Sequence, residues 1–279
     1  MIRRAAVAAV ALAAATAACS GSPSPGAARC TPPHGTLETQ MVAVPGGPPL
    51  RVAVYLPPAA RRSGAAYPAL YLLHGARADQ TQWPAIGVTG AADRLIAAGS
   101  IQPLVIVMPD IDADARAVTE GVVPWADAHL PVIPDAANRA IGGISRGGGT
   151  ALRLAAARPY RFARVGGHSP AVAGNDDLAG RLAAWGGPVW LDVGSRDSLR
   201  TGVGHLNSEL EGDGTVAQLH LYAGAHDRHY WRAHVEDYLR FYGGARAAPG
   251  SPGCAASRHV DGRQVDGRQV DDEAGAPQR

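Results

Sequence analysis

A chain of 279 residues, 46% of them hydrophobic, is long enough to bury one sizeable core, and α/β domains of this length are routinely single. Its net charge of +2, carried by arginines scattered along the chain, argues against nucleic acid as a partner. There is no lysine; alongside abundant Ala, Gly and Pro, this reads as codon bias and not as function.

The first residues are Met1-Ile2-Arg3-Arg4, followed by an Ala/Val/Leu run to Ala18. A charged start, a short apolar run and small residues before a cut site predict a signal peptide over 1–18. The run is too short for a stable membrane anchor. Cys19 follows Ala17-Ala18, as in a bacterial lipoprotein signal, although Thr16 stands where such signals usually carry leucine. Lipidation of Cys19 is therefore expected, with a tether over 19–36 that is rich in Ser, Pro and Gly. The implied address is extracytoplasmic: lipid-anchored on the outer face of a bacterial membrane, or secreted, with the lipid as the only membrane contact. Cys30 and Cys254 lie near the two ends of a predicted domain over 37–254. Export favours oxidation, so a Cys30–Cys254 disulfide is expected. Closing so long a loop would contribute about 4–5 kcal/mol in the chain-entropy description. Residues 255–279 repeat Val-Asp-Gly-Arg-Gln with little apolar content, which predicts a disordered tail.

Within the domain, strands and helices alternate. Leu50 to Leu56 reads as an early strand, and Ala69 to Leu73 as a short apolar one ending at His74-Gly75. A helix is expected over Thr89 to Ala98, and a buried strand over Leu104 to Met108. A second helix is expected over Trp125 to Ile133, with Pro131 awkwardly inside it. Ala140 to Ile144 is a strand and Gly147 to Ala157 the helix after it. Val165 to Gly167, Val189 to Val193 and Gln218 to Tyr222 supply further strands. Leu206 to Leu210 lies in a helix, and His229 to Tyr242 forms the last one. Such alternation predicts an α/β fold with a mainly parallel sheet covered by helices on both faces. The longest candidate for a lid is Ile111 to Val123, so no large cap domain is expected and the cleft should be open.

Gly143-Ile144-Ser145-Arg146-Gly147 sits between a predicted strand and a predicted helix. A serine on such a turn is lifted out of the sheet with its hydroxyl exposed, and the glycines let the backbone pass. That predicts Ser145 as a nucleophile in need of a base, an acid and an oxyanion hole. In the α/β-hydrolase order the base comes last. His226 lies in the loop before the final helix, whereas His229 falls inside that helix. The acid falls between them: Asp197 lies in the turn beyond a strand, while Asp192 alternates within the strand and reads as a network residue. Two backbone N–H groups would complete the site, from Arg146 after the nucleophile and from Ala76 in the loop following His74-Gly75.

The segments Tyr55-Leu56-Pro57-Pro58, Tyr71-Leu72-Leu73-His74-Gly75, Gly143 to Gly148, Gly194-Ser195-Arg196-Asp197 and Gly224-Ala225-His226 with Trp231 carry a family resemblance. The chain resembles the putative-esterase branch of the α/β-hydrolases, which takes in esterase D-like enzymes, feruloyl and acetyl esterases, enterochelin esterase and the mycolyltransferases. The resemblance implies ester hydrolysis through an acyl-serine intermediate and supports Ser145, Asp197 and His226 position by position. It departs from the family at Arg146, where methionine is usual. Gly75 to Asp79 looks like the mycolyltransferase loop, which keeps acyl transfer to envelope sugars as an alternative; a non-catalytic surface binding protein is the other. The expected partner is a small-molecule or glycan-linked ester. His74, Arg77, Trp83, His168 and Trp231 fall near the functional edge and are candidates to line the pocket, as is Trp125. No cofactor is expected, and no Cys/His cluster has metal-binding spacing.

Overall fold

The structure is a computed structural model that describes residues 33–111, 115–172, 177–215 and 217–244. The predicted signal, Cys19, most of the tether, both cysteines of the expected disulfide and the tail lie outside the described residues.

The strands are β1 (Thr36–Val42), β2 (Leu50–Leu56), β3 (Ala69–Leu73), β4 (Val105–Pro109), β5 (Arg139–Ile144), β6 (Arg164–His168), β7 (Val189–Gly194) and β8 (Ala217–Tyr222). They form one sheet in the order β1-β2-β4-β3-β5-β6-β7-β8. β1 and β2 pair antiparallel, β2 pairs antiparallel with β4, and the strands from β4 to β8 run parallel. The helices are α1 (Ala60–Ser63), α2 (Gln82–Ala85), α3 (Val88–Ala97), α4 (Val123–His129), α5 (Arg146–Ala157), α6 (Leu178–Trp185), α7 (Arg200–Gly212) and α8 (Arg228–Gly243).

The period of two along a strand divides the core in two. In β3, Ala69, Tyr71 and Leu73 face the α4–α7 side, while Leu70 and Leu72 face α3 and α8. Both faces are covered, which is why β3 to β7 read as continuous apolar runs. This is a mainly parallel α/β sheet with helices on both faces, as the alternating pattern predicts, in the α/β-hydrolase arrangement that the family resemblance implies.

Some local expectations need correction. The helix expected over 125–133 starts at Val123 and ends at His129, before Pro131, because the residue preceding a proline is pushed out of the α region. Leu130 is accordingly extended (φ −109°, ψ 155°). In the candidate lid, Val118–Val122 form a π turn running directly into α4 at Val123, with Val118, Val122 and Val123 buried in the core; residues 112–114 lie outside the description. β1, α1, α2 and α6 have no counterpart in the sequence reading. β1 is an exposed edge strand whose polar residues (Thr36, Glu38, Thr39, Gln40) give no clean alternation.

Candidate active site

The parallel strands bring their carboxyl ends to one edge, where open α/β sheets place their sites. β5 delivers Ser145. Its backbone is at φ 55° and ψ −116°, a strained conformation for a residue with a side chain. Three hydrogen bonds hold it there: Ser145 N donates to His168 O at 2.9 Å, and Ser145 O accepts from Ala171 N at 2.9 Å and Gly149 N at 3.1 Å. The flanking glycines are a steric necessity. A Cβ on Gly143 would overlap the Gly147 carbonyl, and one on Gly147 would overlap the carbonyl oxygens of Leu73 and His74.

The ends of β7 and β8 deliver Asp197 and His226. Two backbone bonds tie the turn after β7 to the loop after β8: Ser195 N donates to Tyr222 O and Arg196 N to Gly224 O, both at 2.8 Å. Gly194 permits this approach, since its Cβ would sit 2.6 Å from Gly224 O. Asp197 Oδ1 accepts from Leu199 N at 2.8 Å, and Oδ2 lies 2.8 Å from His226 Nδ1. His226 Nε2 lies 2.9 Å from Ser145 Oγ. The Asp197 side chain is wholly buried and that of His226 is 31% exposed. A carboxylate on Nδ1 selects the tautomer that leaves Nε2 free to accept from the serine hydroxyl. His229, the competing histidine, sits in the first turn of α8 with its N–H on Asp227 at 2.9 Å. Asp227 caps α8, and the N–H groups of Tyr230 and His229 hold its carboxyl below the usual range.

The loop after β3 is set by its own polar groups. Gly75 N donates to Gln82 Oε1 at 2.7 Å, and His74 Nδ1 donates to Gly75 O at 2.8 Å. His74 Nε2 accepts from Ile111 N at 3.0 Å. The peptide is planar and trans, so pinning Gly75 O toward His74 turns the Ala76 N–H the opposite way. Gly75 abuts the serine: a Cβ there would be 3.6 Å from Ser145 Cβ. Arg146 opens α5, so its N–H belongs to the helix terminus that lacks intrahelical partners. Its guanidinium reaches back to Ile111 O at 3.3 Å.

Three lining candidates are therefore corrected. His74 is 1% exposed and orients the loop from beneath; Trp83 is also 1% exposed, its indole N–H on Leu73 O. His168 is fully buried, between Asp192 Oδ1 at 2.6 Å and the Tyr242 hydroxyl at 2.9 Å. Arg77 is exposed on the loop with a left-handed backbone (φ 62°). Trp231 is buried and stands edge-on to His226, ring centroids 5.1 Å apart. Trp125 stacks on His129 beside a separate groove with Glu38 and Arg61. The sequence reading missed Gln82 and Ile111. Ile111 acts through its backbone, which leaves no side-chain signal, and Gln82 lies in a four-residue helix too short to show a period. Among the described residues, no group of three or more His, Cys, Asp or Glu could hold a metal ion.

The family model described as Putative esterase matches residues 47–242. The chain belongs to that family. An esterase of Mycobacterium tuberculosis is 34% identical over 134 residues, which is 42% of this chain and 28% of the relative. A xylanase/feruloyl esterase of Xylanibacter ruminicola is 30% identical over 112 residues, 34% of this chain and 15% of the relative. The alignment thus spans less than a third of either relative's length. In fold, this member of the esterase family is similar to a feruloyl esterase module from Clostridium thermocellum, a serine-to-alanine mutant complexed with sinapinate. That likeness has a TM-score of 0.68 and 18% identity, covering 78% of this chain and 92% of that one. An S-formylglutathione hydrolase from Staphylococcus aureus gives a TM-score of 0.66 and 18% identity, covering 77% and 98%.

Proposed function

We propose that this protein is an exported serine carboxylesterase. The observation that carries the reading is the 2.9 Å approach of His226 Nε2 to Ser145 Oγ, with Asp197 on the far nitrogen at 2.8 Å. In this reading Ser145 Oγ attacks the ester carbonyl as its proton passes to His226 Nε2. The tetrahedral oxyanion accepts from the N–H groups of Ala76 and Arg146, each worth roughly 2.7–4 kcal/mol in the transition state. The carbon–oxygen bond to the alcohol then breaks, and His226 gives the proton to the departing oxygen. A water repeats the sequence on the acyl-serine: it loses a proton to His226, attacks the carbonyl and releases the acid, while Ser145 recovers its proton. Asp197 orients His226 and stabilises its imidazolium without taking the proton.

Family membership and the likeness to a feruloyl esterase module bound to sinapinate support a carboxylic ester of small-molecule size as substrate. A fluorophosphonate probe tests the nucleophile. Wild type should label and hydrolyse nitrophenyl acetate, and Ser145→Ala should do neither; equal labelling of the two would sink the proposal.

The N-terminal pattern, with Cys19 as the lipid-bearing residue, supports export, and an oxidising compartment supports the Cys30–Cys254 disulfide. Thiol counting on the native exported protein should find neither cysteine free; titration of both would refute the bond.

A further inference from the structure

A groove of about 620 Å³ lies on the α4 side of the sheet, over β1 and β2. β2 runs antiparallel to β4, so its last residue, Leu56, lies at the amino ends of the parallel strands, opposite the edge that carries Ser145. The floor of the groove comes from the two strands. Glu38 pairs with Val54 across the register, so their side chains share a face, and Gln40 and Leu56, two residues further along each strand, share it too. The walls are α1, through Arg61, and α4, through Trp125 and His129. The sequence explains the opening. α1 is a single turn that stops at Gly64 (φ 65°), and α4 stops before Pro131, so neither helix extends over the strands between them.

The charge of this groove is balanced internally. Arg61 donates to both carboxylate oxygens of Glu38, from Nε at 3.1 Å and also from Nη2. No further Asp, Glu, Lys or Arg lines it, so no surplus charge is left to hold an ion. What it offers instead is donors and acceptors side by side. Gln40 is exposed and carries both in one amide. His129 is exposed, and its Nδ1 donates to Trp125 O at 2.8 Å, which in the neutral ring leaves Nε2 to accept. Trp125 is half-buried against the core, and its indole N–H has no partner among the described residues. One helical turn apart, Trp125 and His129 lie nearly parallel (18° between planes, centroids 5.8 Å), which makes that wall flat and aromatic.

A flat aromatic wall, mixed donors and acceptors and no net charge are complementary to a sugar. The faces of a pyranose carry C–H groups of partial positive charge, which the negative face of an aromatic ring attracts. Its rim carries hydroxyls, each both donor and acceptor. A nucleotide or another anion would need a cation that is not already paired, and a hydrocarbon chain would cover Gln40 and Glu38 without giving them hydrogen bonds. The volume is within the range of small-ligand sites. We propose that the groove between α1 and α4 binds a neutral oligosaccharide, at a site separate from Ser145. This assignment goes beyond the esterase reading and does not depend on it.

Calorimetric titration of the full-length protein tests it, with cellohexaose, xylohexaose, mannohexaose and maltohexaose as probes and hexagalacturonate as the charged counterpart. At least one neutral hexasaccharide should bind. Gln40→Ala should weaken that binding about fivefold, the worth of a hydrogen bond. Trp125→Ala should weaken it about tenfold or more, and Trp125→Phe, which keeps a ring, should recover part of the loss. Gln40 is exposed on an edge strand, so its variant keeps the test decisive even if Trp125→Ala fails to fold. The proposal is overturned if none of the four neutral sugars binds at millimolar concentration, or if hexagalacturonate alone does. Binding that Gln40→Ala and Trp125→Phe both leave at wild-type affinity overturns it as well. So does binding that is lost in Ser145→Ala but kept in Gln40→Ala, which would move the sugar to the catalytic edge.

Discussion

Among the described residues, two arrays of aspartate, histidine and hydroxyl share one geometry and differ in their surroundings, and that difference is what favours one of them as the proposed catalytic array. One is Asp197, His226 and Ser145, with steps of 2.8 and 2.9 Å. The other is Asp192, His168 and Tyr242, with steps of 2.6 and 2.9 Å. The distances alone do not tell them apart. Their surroundings do. In the second array all polar valence is consumed. Asp192 Oδ1 also accepts from the Trp190 indole at 3.0 Å, and Oδ2 from the hydroxyls of Tyr230 and Tyr238 at 2.8 and 3.0 Å. His168 is stacked on Tyr238 with centroids 3.7 Å apart. Burial, reinforced by the Asp192 charge, pushes the Tyr242 hydroxyl well above its usual range, so it stays a neutral donor. That array fastens α8 to the sheet. Asp197 has a lighter load, one N–H from Leu199 besides His226, and its histidine is open to the cleft.

Breaking each acid in turn sharpens the contrast. Asp197→Asn should fold with near-native stability yet lose kcat by about 10⁴-fold, because the amide favours the wrong histidine tautomer. Asp192→Asn should do the opposite. An amide N–H₂ set among four donors leaves buried groups unpaired, at a cost of about 3–5 kcal/mol in denaturant unfolding. The molecules that still fold should keep fluorophosphonate labelling at a rate within about tenfold of wild type, since mutational damage to a scaffold and to a catalytic group are separable. A folded Asp192→Asn protein that fails to label, beside a fully active Asp197→Asn protein, would exchange the two roles.

The same contrast explains how much of the molecule was legible in its sequence. Asp197 was separable from Asp192 because position relative to a strand end is visible in the pattern. Residues beyond the strand reach the edge, and residues alternating within it reach a face. Ser145 was legible because the strained turn demands glycines at fixed spacing, a local requirement written in neighbouring residues. His168 and His74 were not. Each follows or ends a strand, where a histidine can point up into the cleft or down into the core, and only the packing of α8 and of Ile111 decides. Trp83 misled for a similar reason: α2 turns its indole inward onto Leu73 O and the ring of His168. Continuous apolar runs in β3 to β7, set between helical stretches, made the sheet legible, while β1, exposed along most of its length and so without an enforced pattern, was not.

The two arrays meet at the start of α8, and a smaller effect is expected there. Asp227 follows His226 directly and caps the helix whose first turn sends Tyr230 to Asp192 and Trp231 to His226. Its carboxyl titrates lower in the folded protein than in the unfolded chain, where about 3.9 is usual. The cap's charged contribution is therefore complete above the unfolded value and is lost as pH falls through the folded one. Asp227→Ala should cost about 1 kcal/mol near neutrality, the usual loss of an N-cap. Asp227→Asn should cost much less, since asparagine caps as well without needing a charge. Thermal melts from pH 7 down to 3 would check the sign. The gap between wild type and Asp227→Ala should begin to narrow once the pH falls below the unfolded value and keep narrowing as the pH falls through the lower range of the folded carboxyl, and Asp227→Asn should keep its own advantage over Asp227→Ala there. A gap that widened in acid would mean that the carboxyl is not acting as a charged cap, and that α8 is held at this end by Tyr230 and Asp192 alone.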